Sequence, residues 1–179
     1  MGNFAAASYN MAVCIGLASF QASESKFGLA QDAINTSIPF ATTLKSGNFI
    51  DDIVFKRSLN VNPADNSVLI ALRQEVEQVI RSKSNSLANI FRLGLLIAIA
   101  EGQTTSSQFS KAVDIAHSSL KNAKLVITQN FPNLGFDLNP LDQAIRITQN
   151  FGAGPKNSYN VVFSLRQSYA DFALRANLP

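Results

Sequence analysis

The chain has 179 residues, 46% of them hydrophobic, enough to bury the core of one compact domain. Only 15% are charged, well under the roughly 25% of an average soluble protein. The formal charge of +3 is spread along the chain, Lys and Arg interrupted by Asp and Glu. Without a basic stripe or a recognisable module, nucleic acid is not an expected partner. One cysteine, Cys14, excludes an internal disulfide and a cysteine-based zinc cluster, and one histidine, His117, excludes a multi-histidine metal site.

Apolar residues recur at helical spacing, and breaks fall where helices end. A first helix is expected over Phe4–Gln21; it lacks the basic start of a signal peptide, so any secretion signal would lie outside this sequence. A second helix covers Ser25–Thr36. Pro39, which suits a first turn and not an interior, starts a short third helix that Ser46-Gly47 ends. Asn48 is read as the cap of a helix reaching Ser58.

Asn62-Pro63-Ala64-Asp65-Asn66 is a turn into a helix ending near Ser82. Its core stripe is Leu69, Leu72, Val76, Val79 and Ile80. Arg73, Glu77 and Arg81 fall four apart on the other side and predict a solvated ladder of alternating charge. Asn85–Ala100 is apolar on nearly every side and is expected to be central, closed by Glu101-Gly102-Gln103. Its longest apolar run, Leu93–Ala100, is far below the roughly 20 residues that cross a bilayer, so no membrane span is expected.

Ser106–Gln129 places Phe109, Val113, Ala116, Leu120, Ala123 and Ile127 on one face, and Phe131-Pro132-Asn133-Leu134-Gly135 breaks it. Two helices remain, Pro140–Asn150 and Asn160–Asn177, the latter with Val162, Leu165, Tyr169 and Phe172 inward. Gly152-Ala153-Gly154-Pro155 is a flexible link. The pentapeptide Ile-Thr-Gln-Asn-Phe occurs at 127–131 and at 147–151, each time beside a Pro/Gly break, and reads as a shared helix ending. The fold class is therefore all-α, one compact domain of about six to eight helices around a central apolar helix.

Chemistry-bearing residues are few. His117 with Asp114 and Ser118 lacks the relay geometry of a catalytic triad. Asp51-Asp52, and Glu75 with Glu77, point in different directions on a helix. Gly152–Pro155 lacks the spacing of a phosphate loop. Cys14 reads as a buried thiol, with pairing between chains the alternative. Asn35-Thr36-Ser37 is a glycosylation sequon that matters only in a secreted protein. No catalytic, cofactor-binding or metal residue is expected, and no enzyme, cofactor or small-molecule substrate. Low charge weakens the repulsion that keeps proteins apart. The runs Ile53-Val54-Phe55, Leu125-Val126-Ile127-Thr128 and Val161-Val162-Phe163 have strand propensity inside helical segments.

From Leu59 to Asn139 the order of signals resembles the repeat domains of spidroins, the spider-silk fibroins, above all the aciniform and tubuliform (egg-case) types. Leu59-Asn60-Val61 stands where those repeats have a Leu-Gly-Val-type turn. The helix through Leu72 and Val79 follows, then the Ser-rich Ser82-Lys83-Ser84-Asn85-Ser86 and the Ala/Phe-containing Leu87-Ala88-Asn89-Ile90-Phe91. Gly102-Gln103-Thr104-Thr105, the helix through Ala116 and Leu120, and Asn133-Leu134-Gly135-Phe136-Asp137 complete the series. Upstream, Phe40-Ala41-Thr42-Thr43-Leu44 is similar to egg-case helices. The chain departs from the family in having fewer Ser and Ala, more bulky aliphatics and charges, and no poly-Ala or Gly-Gly-X blocks. The resemblance implies a secreted, self-assembling structural module, stored as a helical globule in the silk-gland lumen and partly converted to β-structure in the fibre. The alternative is a helical carrier of an apolar ligand.

Overall fold

A computed structural model describes residues 3–133, 137 and 139–176. Among them the chain forms eight helices: α1 (Phe4–Ser23), α2 (Phe27–Ser46), α3 (Asp52–Asn60), α4 (Asn66–Lys83), α5 (Asn85–Thr105), α6 (Phe109–Asn130), α7 (Asn139–Phe151) and α8 (Pro155–Arg175). No strand occurs among the described residues. The all-α bundle expected from the periodicity is the architecture found.

α5 is central, as its all-round apolarity required: it packs on α1, α4, α6 and α8. It shares that position with α1, whose own neighbours are α2, α4, α5 and α8. Small residues let the two backbones approach. A Cβ on Gly94 would lie 2.5 Å from the Tyr9 carbonyl oxygen and 2.8 Å from the Ala12 Cβ, and one on Gly16 would lie 2.7 Å from the Ala98 Cβ. Ser8 Oγ, with no solvent exposure, donates to the Leu87 carbonyl at 2.8 Å, so the seam's buried hydroxyl is satisfied.

α2 corrects the expected break at Pro39, because the helix runs through it. Its buried residues Ala30, Ile34, Ser37, Ala41 and Leu44 alternate steps of four and three, a stripe that continues unbroken past the proline. Packing along that stripe onto α1 offsets the roughly 3 kcal/mol an interior proline costs. Asn48 is not the cap of α3. It sits at φ 61°, and Phe49 N–H reaches back to the Leu44 carbonyl at 2.9 Å, the left-handed stop of α2. The cap is Asp51, whose carboxylate accepts from Val54 N–H at 2.8 Å.

The same stop recurs with serine. Ser25 (φ 60°) ends α1 and Ser107 (φ 62°) ends α5, with Lys26 N–H bonded to the Gln21 carbonyl and Gln108 N–H to the Gln103 carbonyl, both at 2.8 Å. α5 thus extends past the closure expected at Glu101-Gly102-Gln103. Gly102 lies inside the helix because the Phe20 ring rests on it, 2.6 Å from where a Cβ would stand. α8 begins at Pro155, in the first helical turn, instead of at Asn160. Asn157 Nδ2 ties the expected flexible link by donating to the Phe151 carbonyl at 2.9 Å. Of the break after α6, Leu134 and Gly135 lie outside the described residues, as do Phe136 in the segment Asn133–Asp137 and Asn177 at the expected end of α8.

Candidate functional site

The sequence nominated no catalytic, cofactor or metal residue, and the structure disperses the chemistry-bearing groups it weighed. His117 Nε2 lies 3.2 Å from Thr148 Oγ1, joining α6 to α7. Ser118 Oγ donates to the carbonyl of Asp114, within its own helix. Asp52 pairs with Lys45 at 2.8 Å and Lys56 at 3.5 Å, and its hydrogen bond to Lys45 leads the causes that hold its carboxyl below the usual range. Glu75 pairs with Arg57 across the α3–α4 contact. Asn35 is exposed on α2 and accepts from Gln31 Nε2 at 2.8 Å. No group of His, Cys, Asp and Glu able to hold a metal occurs among the described residues.

Two groups are buried and inert at neutral pH. Cys14 is 9% exposed, and burial pushes its thiol up to about 11, so the reactive thiolate is scarce. Tyr9 is raised above the ordinary tyrosine range, again chiefly by burial. Its hydroxyl donates to the Arg166 carbonyl at 2.9 Å.

The expected solvated ladder on α4 needs correction. Glu77 is buried and gripped from the neighbouring helix: Arg92 Nε donates to its Oε1 at 2.9 Å and Nη2 to its Oε2 at 2.7 Å. Arg81 stands farther off, at 3.7 Å. Sequence spacing within α4 could not show this, because the stronger partner belongs to α5.

The outer surface carries large exposed apolar residues. α8 is anchored over the end of α5 by Arg166, which donates to Glu101 Oε1 at 2.7 Å, and by Tyr159, whose hydroxyl donates to the Thr104 carbonyl at 3.2 Å. Phe109 meets the Tyr159 ring edge-on at 6.2 Å. These anchors leave Phe163 on the outside, 62% exposed, beside a shallow cleft of about 100 Å³ bordered by Thr105, Tyr159 and Val162. Each run with strand propensity contributes such a residue: Ile53 is 63% exposed on α3, Leu125 49% on α6 and Phe163 62% on α8. Helical period could have found two of them. Leu125 and Phe163 fall off the inward stripes 109/113/116/120/123/127 and 162/165/169/172.

An apolar cleft of about 480 Å³ lies between α3 and α4, floored by Val61, Val68, Ala71 and Leu72 and rimmed by the Arg57–Glu75 pair. No helix among the described residues is long and apolar enough to cross a membrane. No family model, curated protein or solved structure matches the chain.

Proposed function

We propose that the protein is a structural module of the silk-fibroin kind, a secreted helical unit that associates with further copies of itself and partly converts to β-structure in the fibre. The observation that carries this reading is the coincidence at three sites of strand propensity and exposure. Ile53, Leu125 and Phe163 each lie in a β-prone run, each in a different helix, and each presents a large apolar side chain outward. Apolar contact is favoured by burying such side chains, and low charge leaves little repulsion to oppose it. A run that has made such a contact can then exchange intrahelical bonds for bonds to a neighbouring copy.

The test combines sedimentation at rising concentration with circular dichroism before and after shear. Wild type is expected to associate and then lose its helical spectrum to a β one. The triple variant Ile53→Ser, Leu125→Ser, Phe163→Ser is expected to stay helical and dispersed. A solid that keeps a fully helical spectrum sinks the conversion, and a wild type that remains monomeric at high concentration sinks the association.

The α3–α4 cleft favours a second reading, a carrier of an apolar ligand, since its volume lies within the roughly 300–1,000 Å³ of small-molecule sites. A large thermal shift with a neutral long-chain alcohol, lost in Ala71→Glu, would support it.

A further inference from the structure

α4 and α5 form an antiparallel hairpin joined through Ser84, which caps α5 by accepting from Leu87 N–H at 3.2 Å. Cross-helix bonds fix the register: Arg81 Nη1 donates to Asn89 Oδ1 at 3.0 Å, and Glu77 holds Arg92 as described. One turn farther from Ser84, the helices part into a groove of about 420 Å³. Arg73, Gln74, Glu77 and Gln78 line its α4 side, and Arg92, Leu95, Leu96 and Ile99 its α5 side.

The groove's charges do not balance. Arg73 and Arg92 face one carboxylate, Glu77, which Arg92 holds with two hydrogen bonds. Arg73 is half-buried and has no hydrogen bond or ion pair among the described residues. Burial, and then the charge of Arg92, work against its protonated form, with Glu77 opposing them. A guanidinium stays protonated in proteins, so Arg73 keeps its charge in the groove. Its planar fork suits an oxyanion, and the Gln74 and Gln78 amides beside it are further donors. Leu96 and Ile99, both half-buried, continue the groove as an apolar track one turn long.

We propose that this groove binds an amphiphilic oxyanion, its carboxylate or phosphate head on Arg73 and its alkyl tail along Leu95, Leu96 and Ile99. The site shares no residue with the surfaces assigned to self-association, so each reading can fail without the other.

Calorimetric titration of the full chain, below micelle-forming concentrations, tests it with octanoate and octyl phosphate as probes. Acetate, inorganic phosphate and octanol supply the head or the tail alone. One of the two amphiphiles is expected to bind with one ligand per chain, and the tighter identifies the head. Each half-ligand is expected to bind about tenfold more weakly or worse, as is the better probe to Arg73→Gln. Arg73→Gln is expected to fold as well as wild type, since it removes an unpaired charge. Ile99→Glu, which keeps Arg73 and sets a negative charge on the tail's track, is expected to abolish binding in a chain of unchanged helical spectrum. Equal affinity of wild type and Arg73→Gln, a half-ligand as tight as the whole, or no heat from either amphiphile overturns the proposal.

Discussion

The α1–α5 seam and the outer faces of α3, α6 and α8 use apolar residues in opposite ways. In the seam, small residues bring two backbones so close that the sites of Gly16 and Gly94 have no room for a methyl group. On the outer faces, large side chains stand in open solvent at Ile53, Leu125 and Phe163. The seam is therefore a place where added volume is damaging, and the outer faces are places where removing apolar volume leaves folding nearly untouched and, on the proposed reading, weakens association.

The sharpest break of that contrast is a methyl group in two places. Gly94→Ala sets a Cβ against backbone of α1, at the Tyr9 carbonyl, so the helices must move apart. A cost of about 3 kcal/mol is expected, at the upper end of ordinary overpacking. Gly28→Ala meets nothing within 4 Å in the first turn of α2 and is expected to stabilise by about 0.5 kcal/mol through helix propensity. Urea unfolding of both variants checks the pair, and equal effects would show that the seam is looser than described.

Alkaline pH probes the seam's neighbour Cys14. Its thiol rises from 9.0 to about 11 through burial, so the folded chain keeps a proton that the unfolded chain releases. Stability is thus full below pH 9 and falls as pH climbs from 9 towards 11, by about 2 kcal/mol for this group. Tyr9 and Tyr169, also raised by burial, add to the loss at higher pH. Cys14→Ala is expected to remove the earliest part of the decline, from pH 9 to 10, in unfolding measured at fixed pH steps. An unchanged profile would assign the loss to the tyrosines alone.

Glu77 marks where the core meets the surface. Its carboxylate is buried while Arg92 is 52% exposed, so Glu77→Gln breaks a bidentate pair that solvent already weakens. A cost of about 1–2 kcal/mol is expected, below that of a fully buried charged hydrogen bond. Urea unfolding at low and high salt checks it; no cost at either would return Glu77 to the solvated ladder read from α4 alone.

Helix existence was legible in the sequence because apolar spacing and capping are local. The central place of α5 was legible too, since Leu87, Ile90, Phe91, Leu93 and Ile97 leave it hardly any polar face. What escaped depends on partners distant in sequence. Pro39 signals a break locally, yet the stripe on α1 carries the helix through it. Glu77 reads as exposed until Arg92 is placed. The two copies of Ile-Thr-Gln-Asn-Phe show the limit most plainly. Phe131 is half-buried and packs edge-on against Phe172 at 5.4 Å, whereas Phe151 is 74% exposed at the end of α7. Identical residues meet different neighbours, so local sequence alone could not assign either ring its role or nominate the α4–α5 groove.

The smallest expected effect on folding bears most on the proposed association. Phe163→Ser removes an aromatic ring from a face that is open in the monomer, while Tyr159 and Arg166 keep α8 anchored to α5. Folding stability is expected to change by no more than about 0.5 kcal/mol, as for other exposed positions. Self-association in sedimentation should nonetheless weaken, because the lost area counts only when a second copy covers it. A variant that unfolds more easily but associates as before would make Phe163 a packing residue of α8. Unchanged stability with weaker association would place a contact between copies at the crossing of α8 and α5.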